Sequence, residues 1–179
     1  MDKSKQMRTN EDILQERARK ISGKLGENQE VPVDEMTLVE FNLISGHYAI
    51  EESFVLEVLL LKELTPIPGV PAFVAGIINL RGKIISVVNL KLFLGIPGKG
   101  ITDMNRIIVL KNDLMEFGIL ADSILGTKTI QLSKLLPAPI TVQAVAAGYV
   151  KGISSEGLIV LDGFKILAAK SIVVNQKLK

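Results

Sequence analysis

The chain has 179 residues, 47% of them apolar, and a net charge of +2, so it is long enough to bury a substantial core and too apolar to be disordered throughout. It contains no cysteine and one histidine, His47, which excludes disulfides, thiolate or His-pair metal sites and a cysteine nucleophile. The densest apolar run, residues 54–61, is far shorter than the ~20 residues of a membrane-spanning helix.

These features also narrow the function. Residues 1–10 are polar and show no apolar leader, so we expect a cytoplasmic protein without direct membrane insertion. The 21 basic residues are dispersed and only 4% of the chain is aromatic, which does not favour nucleic-acid binding. A nucleophile–base set is not evident, and Asp122 and Asp162 are interpreted as turn-capping carboxylates. We therefore expect no enzyme, no cofactor and no metal.

The first part of the chain, residues 1–36, differs from the rest. Asn10 is a suitable N-cap for a helix over residues 11–25, which would carry a narrow apolar stripe on one face. The stripe consists of Leu14, Ala18, Ile21 and Leu25. An isolated helix of this length is marginal in water, so the segment is either a frayed tail or docks on the domain's own surface or a partner.

From Thr37 onward, short apolar runs are broken by turn residues every ~8–12 positions, which predicts an all-β barrel or sandwich. Two short helices are predicted at residues 90–94 and 164–169. The predicted strand runs are 38–44, 48–50, 74–80, 83–90, 106–110, 116–124, 147–153 and 157–161.

Proline marks two connections between these runs. Pro66, Pro68 and Pro71 form one cluster, and Pro137 and Pro139 form the other. Each ring fixes φ and removes an amide donor, so both stretches are extended connections. Two such connections, each flanked by strands, predict two small barrels of about five strands each rather than one large barrel.

Residues 74–90 are the most informative segment. Two apolar arms meet at Arg81-Gly82, which predicts a β-hairpin with a positive φ at Gly82. The second arm is apolar on both faces of the strand, so one face can fill a barrel and the other must be covered. The cover is either a second barrel of the same chain or a partner protein. The apolar residues of this arm are Ile84, Ile85, Val87 and Val88.

The residue at the hairpin turn, Arg81, is placed to pair with a carboxylate. Glu57 stands alone within an apolar run and is the candidate partner. The residues leave open whether such a pair is purely structural or part of a binding site.

The hairpin also carries a family resemblance. Residues 76–82, G-I-I-N-L-R-G, follow T-P-I-P at 65–68 and P-A-F-V at 71–74, and together they closely resemble the signature of the CheW family of chemotaxis adaptors. The resemblance extends from about residue 38 to residue 168. Its other parts are Phe41 with residues 48–50, residues 54–59, the G-x-x-x-D run at 118–122, and Leu161-Asp162.

Membership would imply a domain of residues 37–179 built from two SH3-like five-stranded β-barrels on a shared hydrophobic interface, preceded by the helical extension. It would imply a non-catalytic cytoplasmic adaptor that is recruited to membrane-anchored receptor arrays. Its partners would be the hairpin tips of chemoreceptors and the regulatory domain of the CheA histidine kinase. The alternative is a small β-barrel module that binds a small molecule or nucleic acid.

The resemblance also implies which residues bind partners. These are Glu57, Gly76, Asn79, Leu80, Arg81 and Gly82, with Val87 and Val88 on the strand that leaves the turn. The family commonly reads P-V-V-D-L-R after the hairpin, whereas residues 86–91 read S-V-V-N-L-K. Asn89 removes a carboxylate and Lys91 replaces a forked guanidinium by an ammonium, so we do not expect a secure salt bridge there.

Overall fold

A computed structural model describes residues 34–44, 46–96, 100–102, 104–138 and 144–172. The described residues form ten strands in two five-stranded sheets with a few short helices, which confirms the predicted fold class. The predicted helix at 11–25 lies outside the described residues.

We call the two units the outer and the inner barrel. The outer barrel has the strand order β8-β1-β2-β10-β9 and the inner barrel the order β3-β6-β7-β5-β4. The outer strands are β1 (Glu35–Leu43), β2 (Gly46–Glu51), β8 (Ser123–Gln131), β9 (Val150–Ile153) and β10 (Ile159–Leu161). The inner strands are β3 (Val55–Leu60), β4 (Val74–Leu80), β5 (Lys83–Val88), β6 (Arg106–Lys111) and β7 (Glu116–Ala121).

The inner barrel is inserted between the second and third strands of the outer barrel. The chain passes into it through a 3₁₀ turn at Glu52–Phe54 and returns at Asp122. The predicted strand over 116–124 is therefore wrong as a single element, because Asp122 divides it between two sheets. The first proline-marked connection lies within the inner barrel, between β3 and β4, and Pro137 of the second follows β8. Pro139 lies outside the described residues.

Two of the three short helices begin directly after a residue whose side chain caps the helix. The helices are α1 (Leu90–Phe93), α2 (Ala144–Ala147) and α3 (Gly163–Leu167). The Asn89 side chain accepts a hydrogen bond from the amide of Leu92 at the start of α1, and the Asp162 side chain accepts one from the amide of Lys165 at the start of α3. The capping role predicted for Asp162 is confirmed. The predicted strand over 147–153 is shorter, since α2 occupies its beginning.

The apolar core has three parts. One fills the inner barrel, one fills the outer barrel, and the largest lies between the two barrels. Strand β6 shows the alternation, because Ile107 and Val109 belong to the inner barrel's interior while Ile108 and Leu110 belong to the part between the barrels. The second barrel of the same chain thus covers the second face of β6. On β5, the strand for which a cover was predicted, the layer between the barrels covers Val88, whereas Ile84 on the same face is 61% exposed.

Candidate functional site

The β4–β5 hairpin ends in a tight two-residue turn. Leu80 pairs with Lys83, and the two turn residues have positive φ, 52° at Arg81 and 86° at Gly82. This is the pattern of a type I′ turn, whose twist matches that of the flanking strands. The side-chain oxygen of Asn79 accepts a hydrogen bond from the amide of Gly82 at 2.8 Å and braces the turn. The positive φ predicted at Gly82 is confirmed.

Arg81 and Glu57 form the ion pair that the residues suggested. The Nη2 of Arg81 lies 2.8 Å from the Oε2 of Glu57. The Arg81 side chain is 80% exposed and the Glu57 side chain 19% exposed, so the guanidinium faces solvent while the carboxylate is largely covered. Strands β3 and β4 are the two edges of the inner sheet, and the pair therefore ties one edge to the other.

Strand β3 exposes apolar side chains beside this pair. Its residues alternate between half-buried and exposed, and the exposed ones are Leu56, Val58 and Leu60, at 48%, 40% and 52%. We call these three residues the β3 stripe. Sequence reasoning missed the stripe, because the run is apolar on both faces and shows no polar alternation that would mark a solvent face.

An open groove runs between the two strand edges. It has a volume of about 610 Å³, and its lining includes Asn79 and Leu80 of the hairpin. Val58, Leu60, Ile78 and Leu80 contribute its apolar lining. An exposed apolar surface of this kind with charged residues at its rim is typical of a protein–protein contact.

Three of the residues implied by the resemblance are buried. Gly76 has a φ of 150°, and a Cβ at this position would overlap the carbonyl oxygen of Thr65. Val87 is 0% exposed inside the inner barrel, and Val88 is 1% exposed between the barrels. The structure thus brings Asn79, Leu80, Arg81 and Gly82 to one surface with Glu57. Val87 and Val88 do not reach that surface, because both side chains are packed in the core.

Comparison with known proteins shows the family of this chain. The family model for the CheW-like domain matches residues 37–171. This chain belongs to the CheW family. It is 29% identical over 146 residues to the chemotaxis protein CheW of Treponema pallidum, covering 78% of this chain and 86% of that one. It is 35% identical over 92 residues to the protein FrzA of Myxococcus xanthus, covering 51% and 58%.

A solved CheW-family structure shows the same fold. The crystal structure of the scaffolding protein TtCheW from Thermoanaerobacter tengcongensis matches with a TM-score of 0.64 and 30% identity, covering 75% of this chain and 88% of that one. The two-barrel SH3-like fold and a role as a chemotaxis signalling adaptor follow from these matches. They do not favour a barrel that binds a small molecule or nucleic acid.

A second polar cluster of this CheW-family chain surrounds Asp122. The Nζ of Lys91 lies 2.8 Å from its Oδ1, and the Lys91 side chain is only 6% exposed. The expectation that no secure salt bridge forms at Lys91 is therefore wrong. The ammonium is compact enough to reach Asp122 from the start of α1, and the pair is partly shielded from water.

Hydrogen bonds set the charge state of this carboxylate. Burial alone raises the pKa of Asp122. The hydrogen bonds from Lys91, the Ile44 amide and Asn105, together with the Lys91 charge, outweigh burial and hold the pKa below its ordinary value. Asp122 is thus ionised at neutral pH.

Two further observations concern metal ligands and membrane-spanning helices. Among the described residues of this CheW-family chain, histidine, aspartate and glutamate side chains nowhere gather in a group of three that could hold a metal ion. In the same part of the chain, every helix is too short or too polar to cross a membrane.

Proposed function

We propose that this chain couples the cytoplasmic hairpin tips of chemoreceptors to the regulatory domain of the CheA histidine kinase, by binding and without catalysis. The adaptor works in the cytoplasm, where membrane-anchored receptor arrays recruit it. The domain of residues 37–179 carries this activity, and the extension of residues 1–36 is a separate segment.

One observation carries the site assignment. The β3 stripe lies exposed on β3, the edge strand that also carries Glu57 of the Arg81–Glu57 pair. Its alternate apolar residues can bury against a partner, while the exposed guanidinium of Arg81 can pair with a partner carboxylate or carbonyl. The site consists of the β3 stripe with Glu57, Asn79, Leu80, Arg81 and Gly82.

The buried residues serve this site indirectly. Gly76 allows β4 to approach the connection at Thr65, and the backbones of Thr65 and Ile77 exchange two hydrogen bonds of 2.9 Å there. Val87 and Val88 hold β5 in the core and so fix the hairpin that presents Arg81.

The test is a binding measurement with the full chain. Titration against a purified CheA regulatory domain, and separately against a receptor cytoplasmic fragment, should give dissociation constants on the order of micromolar. Arg81→Glu should weaken binding about tenfold or more, because a negative charge then faces the partner next to Glu57. Circular dichroism should show that the variant keeps its fold.

The matched control is Lys128→Glu. Lys128 forms an exposed ion pair with Glu156 on the outer barrel, so the substitution makes the same charge change away from the site. We expect it to leave binding unchanged. A folded Arg81→Glu variant that binds both partners like the parent would overturn the site, and a parent chain that binds neither would overturn the adaptor role itself.

A further inference from the structure

Asp122 occupies the junction between the two barrels. It is the single residue between β7 of the inner barrel and β8 of the outer barrel. Its backbone amide donates a hydrogen bond to the carbonyl of Asn42 in the outer strand β1 at 2.9 Å. The side chain therefore stands where the chain changes from one sheet to the other.

The carboxylate of Asp122 bonds to both barrels at once. Its Oδ1 accepts from the Nζ of Lys91 at 2.8 Å and from the Nδ2 of Asn105 at 2.9 Å, both on segments that flank inner strands. Its Oδ2 accepts from the amide of Ile44, directly after the outer strand β1, at 2.6 Å. Among the described residues, the side-chain hydrogen bonds that join one barrel to the other all end on Asp122.

The inner-barrel side of this cluster is buried and satisfied. Asn105 is 3% exposed, and its side-chain oxygen accepts from the amide of Thr102 at 2.7 Å. Lys91 is buried as well, and an ammonium in such a place is costly unless a carboxylate pairs with it. Both residues thus hold Asp122 from a fixed position.

The outer-barrel side is strained. Ile44 has a φ of 59°, a left-handed conformation that is unusual for a β-branched residue. Leu43 pairs with Gly46, so the β1–β2 turn has two residues, and such a turn takes a positive φ at its first position. The carboxylate of Asp122 accepts the amide hydrogen bond of Ile44 in this conformation and so ties the β1–β2 turn to the junction.

We propose that Asp122 is the positioning residue that sets the orientation of one barrel relative to the other. The apolar layer between the barrels is non-directional and excludes water in many arrangements, whereas hydrogen bonds of 2.6–2.9 Å hold one geometry. Asp122 acts within the chain, and this positioning role needs no partner. A partner that touches both barrels meets them at the angle that Asp122 sets.

The test uses the absence of cysteine. Cysteines introduced together at the exposed residues Thr127 on β8 and Lys111 on β6 accept nitroxide labels on both barrels without competing thiols. Double electron–electron resonance then gives the distribution of distances between the labels. We expect a narrow distribution in the parent and one about twofold broader in Asp122→Ala.

A second variant keeps the test decisive if Asp122→Ala folds poorly. Lys91→Met combined with Asp122→Ala removes the carboxylate without leaving a buried charge unpaired, and should broaden the distribution equally. Lys83→Met with Glu116→Ala removes an ion pair within the inner barrel and should leave it narrow. Val109→Ala, which destabilises the inner core, separates stability from orientation and should also leave it narrow.

The outcomes are distinct. Broadening in the Asp122 variants, with narrow distributions in both controls, supports the proposal that Asp122 sets the orientation of the barrels. A parent-like distribution in the folded double variant overturns it, and so does equal broadening in Val109→Ala.

Discussion

Arg81 and Glu57 meet at 2.8 Å although Glu57 lies on β3 and Arg81 follows β4, and these two strands are the opposite edges of one five-stranded sheet. An unpaired strand edge invites association with other chains, and charged residues are one means by which proteins restrain it. The ion pair joins the two strand edges, while the groove lined by residues of both strands stays open. The two edges therefore carry both a charged pair that restrains association and an apolar groove that a partner can occupy.

The first prediction separates the contribution of this pair to stability from its contribution to partner binding. Glu57→Arg combined with Arg81→Glu should restore stability lost in Arg81→Glu, since opposite charges meet again. The loss in the single variant should be small, about 0.2–1 kcal/mol, because Arg81 is exposed. Binding to the kinase and receptor fragments should stay weak in the double variant, because the charge presented to the partner is reversed. Urea unfolding and titration measure the two effects.

If the exchanged pair recovers both stability and binding, the pair is a structural tie and partners do not recognise its individual charges. The corresponding exchange on the outer barrel, Lys128→Glu with Glu156→Lys, is the control and should change neither quantity.

The second prediction concerns Gly76. Gly76→Ala should lower the free energy of unfolding by about 1–3 kcal/mol, because the added Cβ overlaps the carbonyl oxygen of Thr65 in a left-handed backbone. Gly126→Ala is the control, since Gly126 has a φ of 134° with open space around it and carries the strain without the overlap. Urea unfolding should show a smaller loss for Gly126→Ala. Equal losses would mean that the contact at Thr65 is unimportant.

The third prediction concerns the layer between the barrels. Phe41 is 0% exposed and belongs to that layer, so Phe41→Ala should cost about 3–5 kcal/mol. Because the layer contains side chains of both barrels, amides of β1 and of β6 should lose protection together in hydrogen exchange. Leu114→Ala, at a residue 94% exposed, should change nothing. Loss of protection confined to the outer barrel would contradict a shared core.

The fourth prediction is a pH dependence. The pKa of Asp122 is lower in the folded state than its ordinary value, so its carboxylate stabilises the fold above the ordinary pKa of about 4. This stabilisation is lost as the pH falls through the lower, folded pKa. Urea midpoints between about pH 2 and pH 7 should therefore fall less steeply on acidification in Asp122→Asn than in the parent.

Glu156→Gln is the control for this profile. The pKa of Glu156 is also lowered, by its hydrogen bond with Lys128, but its side chain is 70% exposed and solvent screens the pair. Its substitution should alter the acid slope little. An unchanged slope in Asp122→Asn would show that the carboxylate contributes no stability at neutral pH.

The sequence predicts the local features of this protein well. The turn at Arg81-Gly82 depends on a few neighbouring residues, and the burial of Ile85, Val87 and Val88 follows from the apolar run of β5. Ile84 belongs to the same run but is 61% exposed. The nesting of the barrels was not predictable, because it depends on pairing across the chain, as between Glu35 and Gln131. Strand β8 was missed because its residues after Leu125 are largely polar and show no apolar alternation.

The site was predictable only in part for a related reason. The pairing of Arg81 with Glu57 follows from an isolated charge in each of two apolar segments. The exposure of the β3 stripe depends on which face of β3 the barrel leaves open, and an apolar run does not encode that. Lys91 was misjudged because its partner, Asp122, lies 31 residues away on another element.

The nested connectivity also sets an order of assembly during synthesis. All strands of the inner barrel have been made once Ala121 has left the ribosome, whereas β1 must wait for β8 before its second edge is paired. Contacts between nearby segments form faster than those that close long loops, so the inner barrel folds first and the outer sheet closes around its two ends. A nascent chain that has emerged from the ribosome only as far as Asp122 would carry all strands of the inner barrel, with β1 and β2 still lacking their partners β8 and β10.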